Sequence, residues 1–122
     1  MIHEVLGDLA RVASVVPYVE WGRRFRGPEP LAATLRRRGA KSIARDARRR
    51  RVLRKLIVVV DAHLPGGPNC YRRALLEMGL DASAAREPLN LGLRPHGGPK
   101  SGHAWLGPTE AGAEVYEVRF EI

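Results

Sequence analysis

At 122 residues, with a formal net charge of +8 and a pI near 10.7, the chain has room for one domain and a modest core, and its surface attracts something negative: nucleic acid, an acidic protein or peptide, or an anionic membrane. The most apolar run, Leu56 to Val60, is preceded by Arg54 and Lys55 and stopped by Asp61, which excludes a bilayer-spanning helix there. The single cysteine excludes an internal disulfide, and Glu4, Asp8 and Arg11 inside the first apolar pattern argue against a signal peptide, so the expectation is a soluble, cytoplasmic protein with a free thiol.

Val5, Leu6, Leu9, Val12, Ala13 and Val16 recur at helical spacing and predict a first amphipathic helix that Pro17 ends or kinks. Tyr18, Trp21 and Phe25 continue at a similar spacing, and an aromatic stripe of this kind reads as core packing. Gly27-Pro28-Glu29-Pro30 breaks the chain, and Pro30 to Arg38 reads as a short helix stopped by Gly39. From Lys41, the positions Ile43, Ala44, Ala47, Leu53, Leu56, Ile57, Val60 and Leu64 share one helical face, while Arg45, Arg48, Arg49, Arg51 and Lys55 crowd the others. Val58-Val59-Val60 has strand propensity as well, but continuity with the periodic segment predicts helix.

Leu64-Pro65-Gly66-Gly67-Pro68 then excludes regular structure, Asn69 is placed to cap, and Tyr71, Ala74, Leu75 and Met78 form the stripe of a helix that begins at Cys70 and ends at Gly79. Asp81 to Glu87 is a connector with helical leanings, Leu89 to Leu93 alternates as a half-buried strand, and Arg94 to Gly102 is a glycine-rich loop without Walker spacing. A strand from Gly102 to Leu106, a turn through Gly107 to Gly112 and a return strand from Ala113 to Ile122 close the chain as a hairpin. Helices followed by strands predict an α+β fold.

A thiol in the first turn of a helix sits in the field of its N-terminus, which favours thiolate. His103, on the strand after the glycine-rich loop, is the base such a nucleophile needs. From spacing alone the pair also fits a small buried thiol and a surface histidine. A metal site of His63, Cys70, His96 and His103 lacks the compact spacings of zinc ligands, so no metal or cofactor is expected.

Leu64-Pro65, Cys70-Tyr71-Arg72-Arg73-Ala74-Leu75, the strand Leu89-Asn90-Leu91-Gly92-Leu93 and His103-Ala104-Trp105 stand in the order of a known family's motifs. Over roughly its C-terminal two thirds the chain resembles the transglutaminase-like leader peptidases of lasso-peptide biosynthesis. The resemblance implies a single transglutaminase-like, papain-like domain, with residues 1–40 as a helical N-terminal part and 41–122 as the catalytic core: a helix bearing the cysteine and a small antiparallel sheet. It implies a cysteine peptidase that removes the leader from a ribosomally made precursor peptide, with Cys70 as nucleophile and His103 as proton shuttle. The implied partners are the precursor, a leader-binding recognition-element protein and a cyclase.

The family places an aspartate on the strand after the histidine, yet no Asp occurs beyond Asp81. A hairpin centred near Glu110 would set His103 opposite Glu117, which makes Glu117 the candidate orienter; a register slip selects Glu114, and Asn90 on the intervening strand is the alternative. The arginine runs carry the other expectation. Arg48, Arg49 and Arg51 are candidate contacts to the precursor or the leader-binding partner, and a basic binding module for an acidic peptide or nucleic acid is the competing function, although no DNA- or RNA-binding motif accompanies the runs.

Overall fold

A computed structural model describes residues 2–93, 102–107 and 118–122. Among the described residues, four α-helices and a small three-stranded antiparallel sheet make an α+β fold. Among the described residues, no helix is long and apolar enough to cross a membrane.

Helix α1 (Ile2–Phe25) runs through Pro17 instead of ending there. Its buried face explains this: Asp8, Val12, Val15, Val19 and Gly22 recur in steps of four and three across the proline. Packing of one unbroken stripe outweighs an interior proline's penalty of ~3 kcal/mol. The expected stripe is displaced, since Leu6 and Leu9 are exposed, and so are Trp21 and Phe25, whose rings lie 5.8 Å apart against each other. Tyr18 alone of that aromatic series packs on the core.

Helix α2 (Pro28–Ala40) starts with proline in its first turn and continues past Gly39 to Ala40. Gly39 is a contact point, not a stop signal. A Cβ there would stand 1.9 Å from the Met78 carbonyl oxygen, so glycine is what lets α2 lie on the next helix but one. Helix α3 (Ala47–Ala62) begins later than Lys41, because the Asp46 carboxylate accepts the Arg49 N–H at 2.8 Å and fixes the start there. Helix α4 (Cys70–Leu80) follows the predicted cap: the Asn69 side chain accepts the Arg72 N–H at 2.9 Å. Arg72 and every residue from Ala74 to Leu80 are buried, so α4 is the spine on which the other helices pack. A 3-10 turn at Ala84–Arg86 occupies the connector.

The sheet corrects the predicted hairpin. Strands β1 (Leu89–Leu93), β2 (His103–Leu106) and β3 (Val118–Glu121) lie in the order β2-β1-β3, so β2 and β3 flank β1 and do not pair. His103 opposes Gly92, whose other neighbour is Arg119. Leu89, Leu91, Ala104, Leu106 and Ile122 pack on the helical core, which a half-buried strand achieves best with a neighbour on each side. Arg36 of α2 holds this edge by donating to the carbonyls of Ala85, Glu87 and Ile122 at 2.9, 2.6 and 2.5 Å.

Candidate active site

Cys70 opens α4 and is partly buried against the core. Two of the N–H groups at this helix end are occupied, that of Arg72 by the Asn69 side chain and that of Arg73 by the Asn69 carbonyl. Among the described residues, the N–H groups of Cys70 and Tyr71 have no hydrogen-bond partner. Ala104, next to His103 on β2, donates its N–H to Cys70 Sγ at 3.2 Å. Cys70 and His103 line one cavity of about 980 Å³, whose apolar walls include Tyr71, Leu91 and Phe120. Burial pushes the Tyr71 phenol up, with nearby Arg23 opposing, so the ring stays neutral near pH 7.

What holds the thiol in place is a buried charge cluster beneath it. Asp61, at the end of α3 and fully buried, accepts Arg72 Nε at 2.5 Å, Arg73 Nη1 at 3.0 Å and the Asn69 N–H at 2.9 Å. Arg72, also fully buried, turns its remaining donors to the carbonyls of Asp61, Gly67 and Pro65 and to Glu20. The loop before Cys70, with Gly66 and Gly67 at φ of 88° and 76°, is thus hung on one guanidinium.

His103 stacks on Trp105, two residues on along the same face of β2, with ring centroids 5.6 Å apart at 18°. Burial, and after it the charge of Arg73, lower its pKa from the ordinary imidazole value. The residue as a whole is exposed, so water screens both effects. The sign follows from linkage: a neutral ring is favoured in the fold, so stability is lost as pH falls through about 6.5, where the unfolded histidine protonates. NMR titration of the His103 ring is expected to give a midpoint below about 6.5, moving upward in Arg73→Gln. A midpoint at or above that value, or one insensitive to Arg73, would contradict this electrostatic picture.

Cys70 and His103 are brought together; the remaining candidates are not. Glu117 and Glu114 lie outside the described residues, and the strand order removes the hairpin that set Glu117 opposite His103. Asn90 is buried on β1 opposite Trp105; its Nδ2 donates to the Gly107 carbonyl at 3.0 Å, and among the described residues its Oδ1 has no hydrogen-bond partner. Arg48, Arg49 and Arg51 stand in the first turns of α3, which pack beside α4 through Arg50 and Glu77, and Glu77 lies about 10 Å along α4 from Cys70 by helix rise. His96 is outside the described residues, among which no group of His, Cys, Asp and Glu is arranged to hold a metal ion.

Asp61 and Arg72 were not singled out as site residues from the sequence, although a signal was present. Leu53, Ile57 and Asp61 share the buried stripe of α3 at steps of four, and a carboxylate on such a stripe demands a cation. Searched against protein-family models, curated proteins and solved structures, the chain matches none.

Proposed function

We propose that this protein is a transglutaminase-like cysteine peptidase that removes the leader from a ribosomally made, lasso-type precursor peptide. The observation that carries the proposal is the seating of Cys70 at the capped start of α4, with its sulfur on the backbone of β2 and His103 in the same cavity. A neutral His103 accepts the thiol proton as Sγ attacks the scissile carbonyl, and the Cys70 and Tyr71 N–H groups face the oxyanion. His103 then gives the proton to the leaving amine, and water attacks the thioester, returning the thiol. The orienting role falls to Asn90, which shares a sheet face with His103 through the pairs Asn90–Trp105 and Gly92–His103; the hairpin that pointed to Glu117 does not form. The test is to incubate the protein with precursor and leader-binding partner and follow the products by mass spectrometry: leader and core are expected, and prior alkylation with iodoacetamide abolishes them. No cleavage, or cleavage that survives alkylation, overturns the function.

Docking of the leader-binding partner or precursor falls to Arg48, Arg49 and Arg51, of which Arg48 and Arg51 are exposed. Their neighbours Arg45, Arg50 and Arg54 are engaged inward with Asp8, Glu77 and Glu87. Replacing the three by Gln is expected to weaken binding about tenfold at low salt, largely through the on-rate. Equal affinity removes these arginines from the interface. Tight, steeply salt-dependent binding to DNA without precursor would instead favour a basic binding module. A cyclase acting on the released core is the partner this reaction implies.

A further inference from the structure

A second cavity opens on the other side of the thiol. It has a volume of about 350 Å³ and lies between α3 and β2, whereas the larger one lies between α2, α4 and the sheet. Cys70, Arg73, His103 and Ala104 border both, so the two meet at the reacting atoms. Among the described residues, strand β2 is a sheet edge: β1 occupies one side, and the Ala104 N–H goes to Cys70 Sγ. The thiol therefore stands at that edge with a cleft to each side.

The second cleft has its own chemistry. Val58 of α3 and Leu106 of β2 contribute an apolar wall, and Val58 keeps 51% of its surface exposed although it is aliphatic. Arg54 and Arg73 also border it, meeting carboxylates through Nε and Nη1 respectively, and each guanidinium has five N–H donors. Glu77, the acidic residue of this lining, is engaged by Arg50 and Arg54. A small acyl compound fills one pocket beside a nucleophile, but a chain that continues past the scissile bond in both directions needs two. An apolar trough with a cationic rim suits an aliphatic residue close to a carboxylate.

Resting on the peptidase function above, we propose that the cleft between α3 and β2 is a second substrate subsite, which holds the peptide on one side of the scissile bond by an aliphatic side chain against Val58 and a carboxylate at Arg54 and Arg73. The larger cavity takes the segment on the other side, which makes the enzyme an endopeptidase that reads residues across the cut.

A library of internally quenched precursor peptides that keep the leader and are randomised on both sides of the cut, presented together with the leader-binding partner, tests this with wild type, Val58→Leu and Val58→Asp, while iodoacetamide alkylation of Cys70 reports on the thiol separately. Val58→Asp sets a carboxylate where the aliphatic side chain should pack, so kcat/KM is expected to fall about tenfold or more, mainly through KM, with loss of the preference for an aliphatic and acidic pair on one side. Val58→Leu retains that preference. If Val58→Asp cleaves the library with wild-type kcat/KM and preference, or if peptides truncated on either side of the cut are cleaved as well as full-length ones, the subsite is wrong and the peptidase stands. If the wild type is alkylated at Cys70 yet cleaves no peptide of the library, the peptidase function falls and the subsite with it.

Discussion

Cys70→Ala is expected to slow leader removal by about 10⁴-fold or more, since removing the nucleophile of a covalent mechanism leaves only binding and oxyanion stabilisation. The substitution is mild for the fold. Cys70 is partly buried at the rim of the core and its sulfur accepts one backbone N–H, so the melting temperature should move by only a few degrees. Cys70→Ser keeps an acceptor for the Ala104 N–H but offers a hydroxyl that His103 ionises poorly; it should be nearly as slow as Ala. Timed mass spectrometry of core release, with partner and precursor present, measures both. An alanine variant that processes the precursor at the wild-type rate would sink the mechanism, because no other cysteine exists in the chain to substitute for Cys70.

The start of α4 was legible because several local signals agree there: Pro65 and Pro68 forbid helix before it, Gly66 and Gly67 supply positive φ, and Asn69 caps. The α+β class and the strand at Leu89–Leu93 were legible for the same reason. Of the two outcomes expected at Pro17, an end or a kink, the end does not occur, because the stripe from Asp8 to Gly22 that tertiary packing rewards outweighs a local penalty of ~3 kcal/mol. The end of the chain misled more seriously. Sequence neighbours usually pair, so β2 and β3 read as a hairpin, and nothing local shows that β1 lies between them.

The arginines show a further limit of composition. A run such as Arg48 to Arg51 reads as a solvated basic face, yet Arg50 is engaged by Glu77, Asp81 and Glu87, and Arg45 by Asp8. Those acidic partners lie far away in sequence, so which arginines were free to meet a partner depended on the fold. The consequence for function is that ion pairing leaves the net charge at +8 but decides which arginines present it: Arg48 and Arg51 stay exposed, while Arg45 and Arg50 are turned to carboxylates of the protein itself.

Arg72→Met is expected to destabilise the protein by about 3–5 kcal/mol, a large share of the 5–15 kcal/mol typical of a domain. Methionine fills much of the same volume but donates nothing. Asp61 is left as a fully buried carboxylate with Arg73 and one backbone N–H, and the carbonyls of Pro65 and Gly67 lose the Arg72 donor, while that of Asp61 keeps the Leu64 N–H. Each unsatisfied buried group costs roughly 1–3 kcal/mol, so the pair cannot simply be exchanged for an apolar contact from one side. Because the same guanidinium suspends the loop from Pro65 to Gly67, the damage reaches Cys70. Thermal unfolding should show a fall of more than about 10 °C, and at temperatures where the variant remains folded, Cys70 alkylation should lose its wild-type rate as the sulfur leaves the Ala104 N–H. Arg73→Met, which removes a half-exposed arm from the same carboxylate, should cost far less stability, since Arg72 still neutralises Asp61. Similar melting losses in the two variants would contradict the assignment of the buried strut to Arg72, and an Arg72→Met protein that melts within a few degrees of wild type would remove it.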